Sequence, residues 1–105
     1  MERPTPISYR GYWDVPRIFY LTDGGQTYLF DCMFSEDLDD YPDDYRVYLM
    51  PPLTEADVAG SWDGLSRLAK AYLGTIPVRD VRFDETRRRL IDAAILDRLH
   101  HPAPG

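Results

Sequence analysis

The chain has 105 residues, of which 44% are hydrophobic and 29% charged, and its formal net charge is −6 at pH 7. This composition is typical of a globular domain with its own hydrophobic core, and it excludes an intrinsically disordered chain. The negative charge argues against nucleic-acid and anionic-membrane partners, and no apolar run approaches the roughly 20 residues of a membrane-spanning helix.

The single cysteine, Cys32, rules out an internal disulfide, so the core forms without a covalent cross-link. The first residues, Met-Glu-Arg-Pro-Thr-Pro, lack the basic and apolar stretches of a secretory signal. Together these features predict a cytoplasmic protein. We expect an N-terminal tail over residues 1–6, a single globular domain over 7–100 and a C-terminal tail over 101–105.

Aromatic residues predict a β-sheet in the first half of the chain. Eleven of the fourteen lie between Tyr9 and Tyr48, and aromatic side chains suit a half-buried pleated surface. Strands are predicted over residues 7–13, 17–21, 27–34 and 46–50. The Asp-Gly-Gly sequence at 23–25 predicts a tight hairpin between the second and third strands, because glycine readily adopts positive φ.

The second half changes to helical spacing. Thr54 is a predicted N-cap for a short helical turn that ends near Gly60. Apolar residues then recur at helical intervals over 62–73, so we expect a helix there, with Trp62 and Leu65 in the core and Gly74 at its C-terminus.

The remaining segments are shorter. A strand is predicted over 78–84 and a C-terminal helix over 91–99, whereas residues 86–90 fit either a helix or a strand. The expected fold is therefore α+β: an antiparallel sheet of four to five strands with one packed helix and a short C-terminal helix. A strongly curved SH3-like half-barrel is the alternative.

Residues 35–45 form what we call the acidic segment, because six of these eleven positions are carboxylates. Repulsion at this density favours a solvated segment that protects strand edges, or one that binds positive charge. An EF-hand is excluded, because its sixth and twelfth positions, counted from Asp37, are Pro42 and Tyr48. A looser calcium site of Asp37, Asp39 and Asp43 remains an alternative.

The acidic segment also suits a basic protein surface, because its carboxylates would steer such a partner towards it. Tyr41 and Tyr45 would then be aromatic anchors within the charged region. The predicted partner-binding residues are Glu36, Asp37, Asp39, Asp40, Tyr41, Asp43, Asp44 and Tyr45.

Three adjacent arginines, Arg87, Arg88 and Arg89, have two interpretations. They pair with nearby acids or with the acidic segment, or they clamp a phosphate or an acidic peptide. If they neutralise the acidic segment within one molecule, that segment is not available to a partner.

Catalytic patterns are weak. Cys32 lies in a strand without a neighbouring histidine, which indicates a structural cysteine. The two histidines, His100 and His101, fall in the last helical turn or the tail. No catalytic residue, metal ligand or cofactor is predicted, and an enzyme is not favoured.

The sequence thus predicts a small acidic interaction module, such as an inhibitor of the antitoxin or immunity type, or an adaptor. One alternative is a divalent-cation-binding domain that uses the acidic segment. Another is a small ligand-binding or enzymatic domain whose pocket is assembled from distant residues.

Overall fold

The computed structural model describes residues 2–13, 15–32, 37–40, 42–60, 62, 64–84 and 89–99. The strands and the α-helix among these residues are β1 (Pro4–Pro6), β2 (Ser8–Trp13), β3 (Val15–Asp23), β4 (Gln26–Asp31), β5 (Asp44–Met50), α1 (Glu55–Ala59), β6 (Ala71–Pro77) and β7 (Leu90–Asp92). Short 3₁₀ turns cover Leu65–Leu68, Val78–Asp80 and Ala93–Arg98.

Two antiparallel sheets organise the chain. Strands β2 to β6 form a five-stranded sheet in sequence order, and β1 pairs with β7 in a separate two-stranded sheet. The predicted α+β class with an antiparallel sheet is confirmed. Because β2 and β6 are the two edges, the larger sheet is open and does not close into an SH3-like barrel.

The predicted hairpin at 23–25 joins β3 to β4. Asp23 pairs with Gln26, and the two glycines between them have φ values of 60° and 78°. This is the conformation that a two-residue turn between twisted strands requires. β4 also pairs antiparallel with β5.

Alternating side chains bury both faces of the larger sheet. In β3, Phe19 and Leu21 join a large cluster, whereas Ile18 belongs to a smaller one. The segment after β6 covers the first face, and Trp62 and Leu65 cover the second. The prediction that these two residues fill the core is therefore confirmed.

Helix α1 begins as the sequence predicts. The backbone N–H of Asp57 donates to Thr54 Oγ1 at 3.2 Å, and the N–H of Thr54 donates to the Asp57 carboxylate at 2.9 Å. This reciprocal pair satisfies two N–H groups that the first helical turn leaves without partners. Gly60 follows as the C-cap.

The helix predicted over 62–73 is wrong. Its last three residues lie in β6, where Leu73 is an extra residue, because Val47 pairs with Gly74 and Tyr48 with Tyr72. Gly74 has a φ of 116° at this bulge. The extra residue changes which side chains face the core, so Leu73 and Ile76 are both buried although they are three positions apart.

The strand predicted over 78–84 is wrong, and the C-terminal helix predicted over 91–99 is shorter, a 3₁₀ helix over Ala93–Arg98. Val78–Asp80 is a 3₁₀ turn, and only Phe83 in that stretch forms a bridge, with Ile91. Residues 90–92 form β7 and 93–98 are 3₁₀ turns. Of the undecided residues 86–90, Leu90 begins β7, and 86–88 lie outside the described residues.

Residues 4–6, predicted as part of a tail, form β1. The Asp92 carboxylate holds this end of the chain by accepting hydrogen bonds from the backbone N–H groups of Glu2 at 3.2 Å and Arg3 at 3.0 Å. It also accepts the N–H of Ala94 at 3.1 Å. The predicted tail over 101–105 lies outside the described residues.

The bulge at Gly74 gives a testable stability difference. We expect Gly74→Ala to lower the free energy of unfolding by about 1–3 kcal/mol, because a Cβ disfavours positive φ. No atom lies within 4 Å of that Cβ, so the loss would come from the backbone alone. Urea denaturation measures it.

Gly60→Ala is the matched control. Gly60 has a φ of −101° and equally open surroundings, so we expect a change within about 0.5 kcal/mol. Equal stabilities of the two variants would contradict the assigned bulge.

Asp92 gives a pH-dependent prediction. The N–H of Ala94 is the main cause that holds the pKa of the Asp92 carboxyl below its ordinary value of 3.8, with further hydrogen bonds from Glu2 and Arg3. A carboxyl whose pKa is lower in the folded than in the unfolded protein stabilises the fold at pH values above its unfolded-state pKa. This stabilisation is lost as the pH falls through the folded-state pKa.

We therefore expect Asp92→Asn to be less stable than wild type at neutral pH, with the difference shrinking below pH 3.8 as the native carboxyl protonates. Urea denaturation at neutral pH and near pH 2 measures both. Asp97→Asn removes an exposed carboxylate on the same segment and serves as the control. A pH-independent difference between wild type and Asp92→Asn would contradict the assigned hydrogen bonds.

Candidate functional site

The acidic segment connects β4 to β5 at one end of the larger sheet. Its described carboxylates are all exposed and are Asp37, Asp39, Asp40, Asp43 and Asp44. Residues 37–39 form a turn in which Asp39 has a φ of 50°. Glu36 and Tyr41, which were also predicted to bind a partner, lie outside the described residues.

Tyr45 is a core residue, so its prediction as a partner-binding anchor is wrong. Its ring meets those of Phe19 and Phe30 edge-on, at centroid distances of 5.2 and 5.6 Å, and its side chain is 0% exposed. The Tyr45 hydroxyl donates to the Pro16 carbonyl at 2.6 Å. The alternation of β5 explains this placement, because Tyr45 faces the same side as the buried Val47.

Leu38 is the exposed apolar side chain of the acidic segment. It is 63% exposed and stands between Asp37 and Asp39 on the turn. Sequence reasoning missed it because a single leucine in a connection has no periodicity. The available signal was its position, an apolar residue with carboxylates on both sides.

A groove opens beside the second half of the acidic segment. Its volume is about 520 Å³, within the range of small-molecule sites. The lining residues are Arg17, Pro42, Asp43, Asp44, Pro77, Val78 and Arg79. The N–H of Val78 donates to the Asp43 carbonyl at 2.8 Å and holds the two walls together. The lining contains two guanidiniums and two carboxylates, so the charge of the groove favours neither anions nor cations.

Arg17 and Cys32 lie beneath this groove. Arg17 is 7% exposed, and its Nη1 donates to Cys32 Sγ at 3.3 Å and to the Pro42 carbonyl at 3.5 Å. The Cys32 thiol donates to the same carbonyl at 2.9 Å. These contacts hold the acidic segment at Pro42 against the end of the sheet. The pattern of β3 alone gave no sign of this role for Arg17.

Burial raises the pKa of the Cys32 thiol, and the neighbouring Arg17 lowers it to a smaller extent. The thiol is therefore protonated at neutral pH, and a protonated thiol is a poor nucleophile. This agrees with the interpretation of Cys32 as a structural cysteine. The histidines His100 and His101 lie outside the described residues.

The calcium alternative gains no support from the described side chains. Among them, no group of three or more His, Cys, Asp and Glu residues is placed to hold a metal ion. The set of Asp37, Asp39 and Asp43 is thus not brought together as a coordination site. Within the described part of the chain, no helix has both the length and the apolar character needed to cross a membrane.

Two basic residues of the second half pair with an acid near them. Arg98 contacts the Asp80 carboxylate at 3.1 Å, and Arg79 approaches the same residue at 3.9 Å. Arg89 is exposed, and its backbone N–H donates to Asp84 at 2.7 Å. Arg87 and Arg88 lie outside the described residues, so internal neutralisation by this pair stays a prediction.

The placement of Tyr45 predicts a structural effect of its hydroxyl. We expect Tyr45→Phe to lower the free energy of unfolding by about 1–2 kcal/mol, because the buried Pro16 carbonyl loses its donor. Tyr72→Phe is the control, since Tyr72 is 57% exposed and its loss of a hydroxyl should cost less than about 0.5 kcal/mol. Chemical denaturation measures both, and equal stabilities would contradict the buried hydrogen bond.

Comparison with known proteins identifies no relative of this chain. No protein-family model, no curated protein and no solved structure matches the chain. The function is therefore argued from the exposed carboxylates, the groove and the buried contacts that hold them in place.

Proposed function

We propose that this protein is a non-catalytic interaction module whose acidic segment binds a basic protein surface. The observation that carries the proposal is the exposure of all five described carboxylates between two buried ends. Cys32 precedes the segment at 1% exposure and Tyr45 ends it at 0%. A segment held at Pro42 and Tyr45 loses less conformational entropy on binding than a free one.

Charge complementarity gives this surface its selectivity. Clustered carboxylates raise the association rate of basic partners and disfavour acidic ones. Leu38 replaces Tyr45 as the apolar contact, because it is exposed where Tyr45 is not. The expected partner surface is therefore cationic with a small apolar depression. Small inhibitors of the antitoxin or immunity type and adaptors both fit this description.

The paired substitution Asp37→Asn with Asp44→Asn tests the proposal. Exposed ion pairs contribute about 0.2–1 kcal/mol each, so losing two should weaken partner binding by about 2- to 30-fold. The salt dependence of binding should flatten as well. Immobilised protein is used to capture partners from a lysate of the source cells, and the affinity of a captured partner is then measured against salt.

Glu2→Gln with Glu55→Gln is the matched control, since both residues are exposed acids outside the acidic segment. This variant changes net charge by the same amount and should retain capture. Equal capture by wild type and the Asp37–Asp44 variant would remove the proposal.

A further inference from the structure

A second charged surface lies at the beginning of β6, and we call it the basic patch. It consists of Arg67, Leu68, Lys70 and Tyr72, all of which are exposed. Residues 64–72 contain two basic residues and no acidic one, so this part of the chain opposes the overall negative charge. The ring of Tyr72 packs against that of Tyr48 at 5.4 Å, which holds it on the sheet.

Exposed apolar residues coincide with the two charged surfaces. Among the described residues, the large hydrophobic side chains that are exposed are Leu38, Leu68 and Tyr72, at 63%, 45% and 57%. Leu38 belongs to the acidic segment, and the other two belong to the basic patch. Each surface therefore combines apolar contact area with one sign of charge, and the two signs are opposite.

The end of the acidic segment at Asp44 and the basic patch lie apart along β6 within one molecule. Asp44, at the end of the acidic segment, pairs with Pro77, whereas Tyr72 of the basic patch lies five positions earlier in β6. At about 3.3 Å per residue in a strand, the separation is roughly 16 Å. Their complementarity is thus available to another molecule.

We propose that the basic surface recognised by the acidic segment is the basic patch of a second copy of this chain. The inference rests on the proposed function and names its partner. The two contacting surfaces differ, so the interface is heterologous, and each added copy leaves one acidic segment and one basic patch unoccupied. Association therefore proceeds head to tail and continues beyond a dimer unless a ring closes.

Sedimentation of the wild-type chain tests this association. We expect the weight-average mass to rise with concentration up to about 1 mM, because contacts of this size give weak affinities. The rise should shrink between about 50 mM and 500 mM salt, because exposed charges are screened at the higher ionic strength. A chain that stays monomeric at about 1 mM and low salt overturns the inference.

Complementary charge reversals identify the surfaces. The basic-patch variant is Arg67→Glu with Lys70→Glu, and the acidic-segment variant is Asp37→Lys with Asp44→Lys. Each alone should weaken self-association by about tenfold or more. An equimolar mixture should associate again as pairs, because the unchanged acidic segment of one variant can bind the unchanged basic patch of the other. Loss in both variants without recovery in the mixture overturns the pairing.

Two further variants distinguish the effect of net charge from the effect of the basic patch itself. Arg82→Glu with Arg89→Glu makes the same charge change at exposed positions outside the basic patch and should associate like wild type. Tyr72→Ser removes apolar contact without changing charge and should weaken association about tenfold. The assigned surface would be overturned if the basic-patch variant associated like wild type. It would also be overturned if the Arg82–Arg89 control lost association to the same extent as the basic-patch variant.

Failure here is distinguishable from failure of the proposed function. A monomeric wild type that still captures a basic partner through Asp37 and Asp44 overturns self-recognition alone. A chain that self-associates only through the acidic segment and the basic patch supports both.

Discussion

Phe19 lies at the centre of β3 with its ring against three other aromatic rings. That of Phe30 stacks on it at 4.7 Å between centroids, and those of Tyr45 and Phe83 meet it edge-on at 5.2 and 5.9 Å. Aromatic pairs of this geometry contribute about 0.5–1.5 kcal/mol each beyond their burial. The rings come from three neighbouring strands and from the segment that covers them, so this cluster joins the sheet to its outer layer. Because Tyr45 is held there, the preceding Asp44 faces solvent, and the position of the acidic segment follows from the core.

The distribution of charge follows from the same arrangement. Residues 1–50 carry ten acids against four arginines, and residues 51–105 carry eight of each sign. In the second half, contacts such as that between Arg98 and Asp80 pair opposite charges locally. In the first half, Arg17 is buried beneath the groove and bonds to a thiol and a carbonyl, while the described carboxylates of the acidic segment face outward. The unbalanced negative charge therefore lies on one end of the sheet, with the basic patch at the other end of β5 and β6.

The sequence predicted the negative charge of the site but only some of its residues. Consecutive carboxylates between two strand-like segments are solvated in almost any fold, so the exposure of the aspartates was accessible from composition. The identity of the apolar contact residue was not accessible from composition. Tyr45 stands next to the acidic residues in sequence but belongs to the alternation of β5, so it faces Phe19. Leu38 is exposed on the turn of residues 37–39, and no spacing in the sequence indicates this turn.

Local chemistry determined the hairpin at 23–25 and the cap at Thr54, because glycine conformation and a side-chain oxygen act between neighbours. Tertiary structure decided the second half. The spacing of Leu73 and Ile76 is helical in the sequence, yet pairing with β5 and a bulge at Gly74 produce the same spacing in a strand. Likewise, β1 forms through β7, since its three residues pair with residues about 85 positions away. Periodicity over short windows contains no information on such pairings, because the energy that selects them comes from contacts between distant parts of the chain.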